Sequence, residues 1–306
     1  MHFEQLDLNL LVALDALLTE RSITAAGVRV YLTQSAMSGA LSRLREFFND
    51  ELLTQVGRKM VPTPLGESLA EPVRQVLLQI KATIHATPGF DPATSTRHFS
   101  VMMSDYVDTV LMSEVLRRAE SAAPRVRFNI ISNDVAPPND FLERADVDLL
   151  IMPREYLSDK HPRDDLYTDS YACVVWSENP LVGDSLTQEQ YLGLGHVVLQ
   201  FGRGRIPVQD EWFLTKLGVT RRIEVLAMNF NSVPQHIVGS RRIATIHRRL
   251  ADYYARYLPL RILAPPYELP LLTEAVQWHT LFTEDAGNRW LRTLLKQTAS
   301  DVGEGR

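Results

Sequence analysis

The stretch SITAAGVRVYLTQSAMSGALSRLREFFNDELL, Ser22 to Leu53, holds two short helical patterns separated by a few residues. Ser22 is placed to cap the first, and Ala25 and Ala26 are small enough to let helices pack closely. Thr33 is placed to cap the second, in which Met37, Leu41, Leu44 and Phe48 step along one face. The opposite face carries Gln34, Ser35, Ser38, Gly39, Ser42 and Arg43, where most soluble helices display Glu and Lys. A helix about 10–12 Å across suits the DNA major groove, which is of comparable width. Small groups at the closest approach would let it enter, and Gln and Arg can hydrogen-bond bases or phosphates. A small helical domain that only dimerises fits the same pattern, and the pattern alone leaves both readings open.

Before this stretch, Leu8, Leu11, Leu14, Leu17 and Leu18 recur at helical spacing. After it, LLTQVGRKMVPT alternates around Gly57 and Arg58, as two short strands with a turn would. From Pro64 to about Thr87, Leu65, Leu69, Val73, Val76, Ile80 and Ile84 form the stripe of one long helix. Its partner is the same helix of another subunit, or else the C-terminal domain. TPGFDPATST, Thr87 to Thr96, reads as a turn-rich linker.

Strand and helix patterns then alternate: HFSVMMS, YVDTVLMSEVLRRAES, VRFNIIS, VDLLIMP, YACVVWS and HVVLQF, and onward to a last helix around NRWLRTLL. This alternation predicts α/β units around mostly parallel sheets, in two small lobes rather than one large sheet.

Of the 306 residues, 45% are hydrophobic and 23% charged, a balance that supports a folded core. The single cysteine, Cys173, rules out an internal disulfide framework. No apolar run approaches the roughly 20 residues needed to cross a bilayer, and no export signal is seen, so a cytoplasmic location without membrane partners is expected. The net charge of −5 argues against a non-specific nucleic-acid coat. Between Arg21 and Lys59 the balance inverts: Arg21, Arg29, Arg43, Arg45, Arg58 and Lys59 face only Glu46, Asp50 and Glu51.

Catalytic constellations are absent. There is no GxxxxGK[ST] loop, no HExxH and no GxSxG, and in GRGRIP Pro207 stands where the third glycine of a dinucleotide fingerprint would be. One cysteine cannot make a CxxC metal site, and the eight histidines are scattered. His247 and His279 read as structural histidines. No catalytic residue, metal or cofactor is expected.

AAGVRVYLTQSAMSGALSRLREFFNDELL followed by GRKMVPTPLG resembles the N-terminal winged helix-turn-helix of LysR-type transcriptional regulators, including a Thr-x-x-Gly after the wing, Thr63 to Gly66. FEQLDLNLLVALDALLTERSITAA, ADVDLLIMP and TEAVQW resemble the branch that holds the nodulation regulators responding to flavonoids. Regulators of salicylate, nitroaromatic and chlorophenol breakdown are similar. The resemblance implies a winged helix-turn-helix at 1–62, a dimerisation helix at 63–87 and an effector domain at 88–306. That domain would be α/β, with two Rossmann-like lobes: lobe I at about 97–170 and 265–300, lobe II at about 171–264. Expected partners are double-stranded DNA bearing an imperfect inverted repeat, a small aromatic effector and further copies of the chain, as a homodimer assembling to a homotetramer. The resemblance also admits RNA polymerase.

Carried onto this chain, the DNA-contacting positions fall on Gln34, Ser35, Ser38, Gly39, Ser42 and Arg43, with Arg58 in the wing. Ser35 stands where proline is usual, Gly39 where a larger polar residue is common, and Gln55 where arginine is frequent. The effector positions fall on Ser104, Asp105 and Tyr106, at the helix start after the first effector-domain strand, and on His196, Phe201 and Phe230 in lobe II. The free N–H groups of that helix start could bind a ligand oxygen. Tyr106, Phe201 and Phe230 would bury a planar ring, with Ser104 and His196 as polar handles. An imidazole at His196 would bond an ionised phenol, so the expected effector is a chloro- or nitrophenol-like compound controlling aromatic catabolism. A flavonoid or salicylate is the alternative. A binding protein or an enzyme using the two-lobed fold is the alternative of another class.

Overall fold

The computed structural model describes residues 6–57, 59–85, 89–133, 137–201, 206–207 and 209–304, with side chains at 85, 201–212 and 303–304 excluded. The chain divides into two units, Met1–Thr87 and Pro88–Arg306.

In the first unit, α1 (Asn9–Glu20) starts where Asp7 Oδ1 accepts the Asn9 N–H at 2.9 Å. The Ser22 and Thr33 side chains cap α2 (Ile23–Arg29) and α3 (Gln34–Phe48), accepting from the N–H groups of Ala25 and Ala36. The α2–α3 turn is tight. Leu32 N–H donates to Gly27 O at 2.8 Å, and a Cβ on Gly27 would collide with the Leu32 carbonyl. Met37, Leu41 and Leu44 of α3 bury against Leu14 and Leu17 of α1, so one face of α3 is spent on the core. β1 (Leu53–Val56) and β2 (Lys59–Pro62) pair antiparallel as the wing.

α4 (Pro64–His85) follows, and Thr63 and Gly66 fix its start. The Thr63 hydroxyl donates to Asp50 Oδ1 at 2.6 Å and accepts from the Gly66 N–H at 3.0 Å. A Cβ on Gly66 would run into the Leu52 carbonyl, which is why the fourth residue of this motif is glycine. The apolar stripe of α4 divides. Leu65, Leu69 and Val73 pack on the α1–α3 core of their own unit, whereas Val76, Ile80 and Ile84 are exposed.

The second unit holds two sheets. Lobe I starts with β3 (His98–Met103), then α5 (Asp105–Val107), a π-helical turn (Asp108–Met112) and α6 (Ser113–Ala122). β4 (Arg127–Ser132), α7 (Pro138–Glu143), β5 (Leu149–Pro153) and β6 (Arg163–Asp169) complete its first pass. Lobe II runs through β7 (Tyr171–Trp176), α8 (Gln188–Gly193), β8 (Gly195–Phe201), β9 (Ile206–Pro207), α9 (Gln209–Lys216), β10 (Arg222–Ala227), β11 (Ile243–His247), α10 (Arg248–Tyr254) and β12 (Leu260–Leu263). The chain then returns to lobe I as β13 (Leu272–Gln277) and α11 (Ala286–Glu304). Strand orders are β4-β3-β5-β13-β6 and β10-β8-β11-β7-β12.

Both sheets are more mixed than the alternation predicts. β13 is antiparallel to β5 and β6, and β7 is antiparallel to β11 and β12. Each antiparallel pair involves a strand that follows a crossing between the lobes: β7 follows β6 with Ser170 alone between them, and β13 follows β12 on the return.

Candidate functional site

The exposed face of α3 carries the expected residues. Gln34, Ser35, Ser38, Gly39, Ser42 and Arg43 are all exposed, while Met37, Ala40, Leu41 and Leu44 are buried. A Cβ at Gly39 would meet nothing within 4 Å, so packing does not require glycine there. Its effect is to leave helix backbone bare at the surface.

The basic residues of this unit divide by role. Arg29 pairs with Asp15 and Glu20. Arg45 donates to the carbonyls of Glu51 and Leu53 at 2.8 and 2.7 Å, bracing α3 against the wing. Arg43 is exposed and makes no ion pair with the described residues, which leaves its guanidinium available to an external anion. Arg58 lies outside the described residues.

In the second unit the two lobes meet around Tyr106. Its ring lies 4.3 Å from His247, 5.7 Å from Phe230 and 6.4 Å from Tyr167, centroid to centroid. The Tyr171 ring also lies against His247, tilted, with centroids 5.0 Å apart. The Tyr106 hydroxyl donates to Asp169 Oδ2 at 2.6 Å. Asp169 also accepts the N–H groups of Ser170 and Arg249, so it ties the crossover to the start of α10. The Arg249 guanidinium sits 4.5 Å over the Tyr167 ring. Glu274 lies opposite Tyr167 in register and is 2% exposed.

Burial controls the protonation of this cluster. It pushes Glu274 up to about 8, with Glu155 and Asp169 nearby adding to the shift. Burial pushes His247 down to about 3, so its ring is neutral. The Tyr106 hydroxyl is raised chiefly by burial and further by Tyr167 and Asp169.

The six expected effector residues have different fates. Tyr106 and Phe230 lie side by side, with ring centroids 5.7 Å apart. Ser104 Oγ caps α5, accepting the Val107 N–H at 3.3 Å. Asp105 bridges the lobes: its carboxylate accepts from Phe230 N–H at 3.2 Å and Asn231 N–H at 2.8 Å. It therefore serves as a clasp between lobes, where an acid facing a ligand was expected.

His196 is a correction. It is fully buried, its Nε2 donates to the Tyr191 carbonyl at 2.7 Å, and its ring packs edge-on against Tyr191. Side chains alternate across a strand, and Val197 is the residue of β8 that joins the core around Tyr106. His196 points to the opposite face, with Tyr191, so it cannot serve as the handle. The side chain of Phe201 lies outside the described residues.

Tyr167, Asp169, Tyr171, Arg249 and Glu274 of this cluster are not singled out by the sequence reading, which takes His247 as a structural histidine. One signal was available: Glu274 is a lone acid in the apolar strand LTEAVQ.

The residues 8–67 match the model of the bacterial regulatory helix-turn-helix protein, lysR family, and residues 93–300 match the LysR substrate binding domain. The chain belongs to the LysR family. It is thus a transcriptional regulator rather than an enzyme, of a family whose members bind DNA and small-molecule effectors. It is 43% identical over 305 residues to Nodulation protein D 1 of Bradyrhizobium diazoefficiens, covering 100% of this chain and 97% of the relative. It is also 43% identical over 300 residues to Nodulation protein D 3 of Rhizobium leguminosarum bv. phaseoli, covering 98% and 99%.

Among solved structures, a probable transcriptional regulator from Pseudomonas aeruginosa aligns with TM-score 0.67 at 25% identity, over 96% of this chain and 97% of that one. Full-length OxyR of the same organism, as a point variant, aligns with TM-score 0.69 at 15% identity, over 98% and 95%, which speaks for the fold alone. Among the described residues no helix is long and apolar enough to cross a membrane.

Proposed function

We propose that this LysR-family regulator responds to a flavonoid and governs genes in the manner of the nodulation proteins D. The observation that carries this reading is the 43% identity to Nodulation protein D 1 across the whole chain, effector domain included. The aromatic cluster of Tyr106, Tyr167, Tyr171, Phe230 and His247 supports it, because extended flat rings suit an extended flat ligand. The chloro- or nitrophenol reading rested on His196 as a handle for a phenolate. With His196 turned into the Tyr191 core, that support is gone.

On this reading the chain is cytoplasmic and acts on an imperfect inverted repeat, two α3 helices of a dimer reading related half-sites, with dimers assembling to a tetramer. The ligand shifts the balance between arrangements of lobes and subunits, and so changes how the dimers sit on DNA. The test is calorimetry with hydroxylated flavones, chlorophenols and salicylate, alongside gel shifts on the DNA upstream of the coding region. Micromolar or tighter binding of a flavone, with a changed footprint, is the expected result. Binding of chlorophenols alone would return the reading to aromatic catabolism.

A further inference from the structure

We infer that Tyr31, in the turn between α2 and α3, contacts DNA from outside the recognition helix, its hydroxyl donating to a backbone phosphate beside the groove that α3 enters. This rests on the reading above, that α3 faces DNA, and adds to it a contact that carries no sequence information.

Backbone conformation sets this residue apart. α2 closes with two hydrogen bonds: Tyr31 N–H donates to Val28 O at 3.3 Å, and Leu32 N–H donates to Gly27 O at 2.8 Å. In a closure of this kind the residue after the helix cap adopts the left-handed conformation, and it is usually glycine. Here it is Tyr31, with φ 57°. A bulky side chain at that position costs free energy that glycine or asparagine largely avoids.

Other residues in this conformation show what offsets the cost. Leu52 and Ala145 have φ 57° and 48°, and both are buried in apolar core. Arg21, at φ 49°, pairs with Glu67, and Asn49 is of a type that tolerates the conformation. The Tyr31 side chain is instead 97% exposed, and Val28 and Leu32 of the same turn are 73% and 43% exposed. A strained residue with no packing inside the chain to offset it points to a contact outside the chain.

Position selects the partner. Tyr31 lies two residues before Thr33, the cap of α3, and three before Gln34, its first residue. In helix-turn-helix proteins the start of the second helix makes the closest approach to the bases, with sugar and phosphate bordering the groove. A tyrosine in the turn just before that start is placed for the border. Its hydroxyl suits a phosphate oxygen, and the apolar ring suits the face of a sugar. Arg29, at the end of α2, is already held by Asp15 and Glu20, so the donor of this turn is an uncharged one. An uncharged donor displaces no counterion. Losing it weakens binding without changing the salt dependence, and does so alike on every sequence.

Gel-shift titrations of the full chain, on the DNA upstream of the coding region and on an unrelated duplex of equal length, compare wild type with Tyr31→Asn, Tyr31→Phe and Ser38→Glu. Tyr31→Asn should melt about 2–5 °C higher in the transition of the first unit, because the strain is relieved. It should nevertheless bind both duplexes at least about fivefold more weakly. Tyr31→Phe, which keeps the ring and the strain, should melt as wild type does and show the same loss of affinity. For both variants the slope of log affinity against log salt should match that of wild type.

Wild-type affinity in Tyr31→Asn, with Ser38→Glu no longer shifting DNA, would overturn this inference alone. A loss on the upstream DNA with none on the unrelated duplex would mean base reading and would also overturn it. So would a lower melting temperature in Tyr31→Asn, which would give the ring a role inside the fold. Wild-type binding by both Tyr31→Asn and Ser38→Glu would overturn this inference and the α3 reading together.

Discussion

Tyr106 and Asp169 share a hydrogen bond of 2.6 Å across the point where the chain leaves lobe I for lobe II. Asp169 ends β6 and accepts, besides the tyrosine, two backbone N–H groups, one of them at the start of α10. The bond thus links the helix start after β3 to the crossover and to lobe II. Tyr106→Phe removes only the hydroxyl and keeps the ring among Phe230 and His247. A hydrogen bond to a charged group is worth about 1.5–3 kcal/mol, so the effector-domain transition in urea, followed by near-ultraviolet circular dichroism, should weaken by that amount. An unchanged transition would mean that the crossover is held by its backbone bonds alone.

The same cluster sets a pH dependence whose sign follows from Glu274. Its folded pKa of about 8 lies above the ordinary 4.5, so the folded state binds more protons than the unfolded between those values. Stability from this group is present below pH 4.5 and is lost as pH rises toward 8, at up to about 1.4 kcal/mol per pH unit. His247, pushed down to about 3, acts oppositely and costs stability as pH falls below 6.5. Chemical denaturation at pH 5, 6, 7 and 8 should show Glu274→Gln gaining on wild type at each step upward. A constant difference would show that the carboxyl is solvated in the folded protein.

On α3, stability and binding should part company. Gly39 sits inside a helix, exposed, with nothing within 4 Å of a would-be Cβ. Gly39→Ala should therefore raise the stability of the first unit by about 1 kcal/mol, as for any exposed helical glycine. Ser38→Glu should leave the melting temperature unchanged and abolish the specific gel shift, because it sets a negative, bulky group on the face proposed to meet DNA. Normal footprinting by Ser38→Glu would remove this face from the interface.

The first unit was readable because its signals are local. Capping residues Ser22 and Thr33, the Met37–Leu41–Leu44 face and the turn glycine at 57 each act within a few residues of themselves, so periodicity and turn chemistry expose them. The cluster proposed to bind the effector was only half readable. Tyr106 and Phe230 lie at element ends that the two-lobed fold points to, yet their partners Asp169, His247 and Glu274 are brought in by β6, β11 and β13, whose order in the sheets no local pattern encodes. β6 was passed over because Asp164, Asp165 and Asp169 break its apolar run. His196 failed for a finer reason, a choice of strand face that turns on one residue of register.

The α4 stripe gives the last prediction, and the structure has narrowed it. Leu65, Leu69 and Val73 pack against the core of their own unit, so changes there destabilise a single chain. Val76 and Ile80 remain 43% and 37% exposed and Ile84 is 70% exposed, one helical row of apolar side chains in water. Buried between two copies of the helix, each would stabilise association by about 1.5–3 kcal/mol. Val76→Asp should then lower the mass measured by light scattering at micromolar protein and leave the melting of the first unit intact, since Val76 takes no part in that core. Val73→Ala should do the reverse, melting earlier with an unchanged mass. If Val76→Asp keeps the wild-type mass, the exposed row is not where the subunits meet.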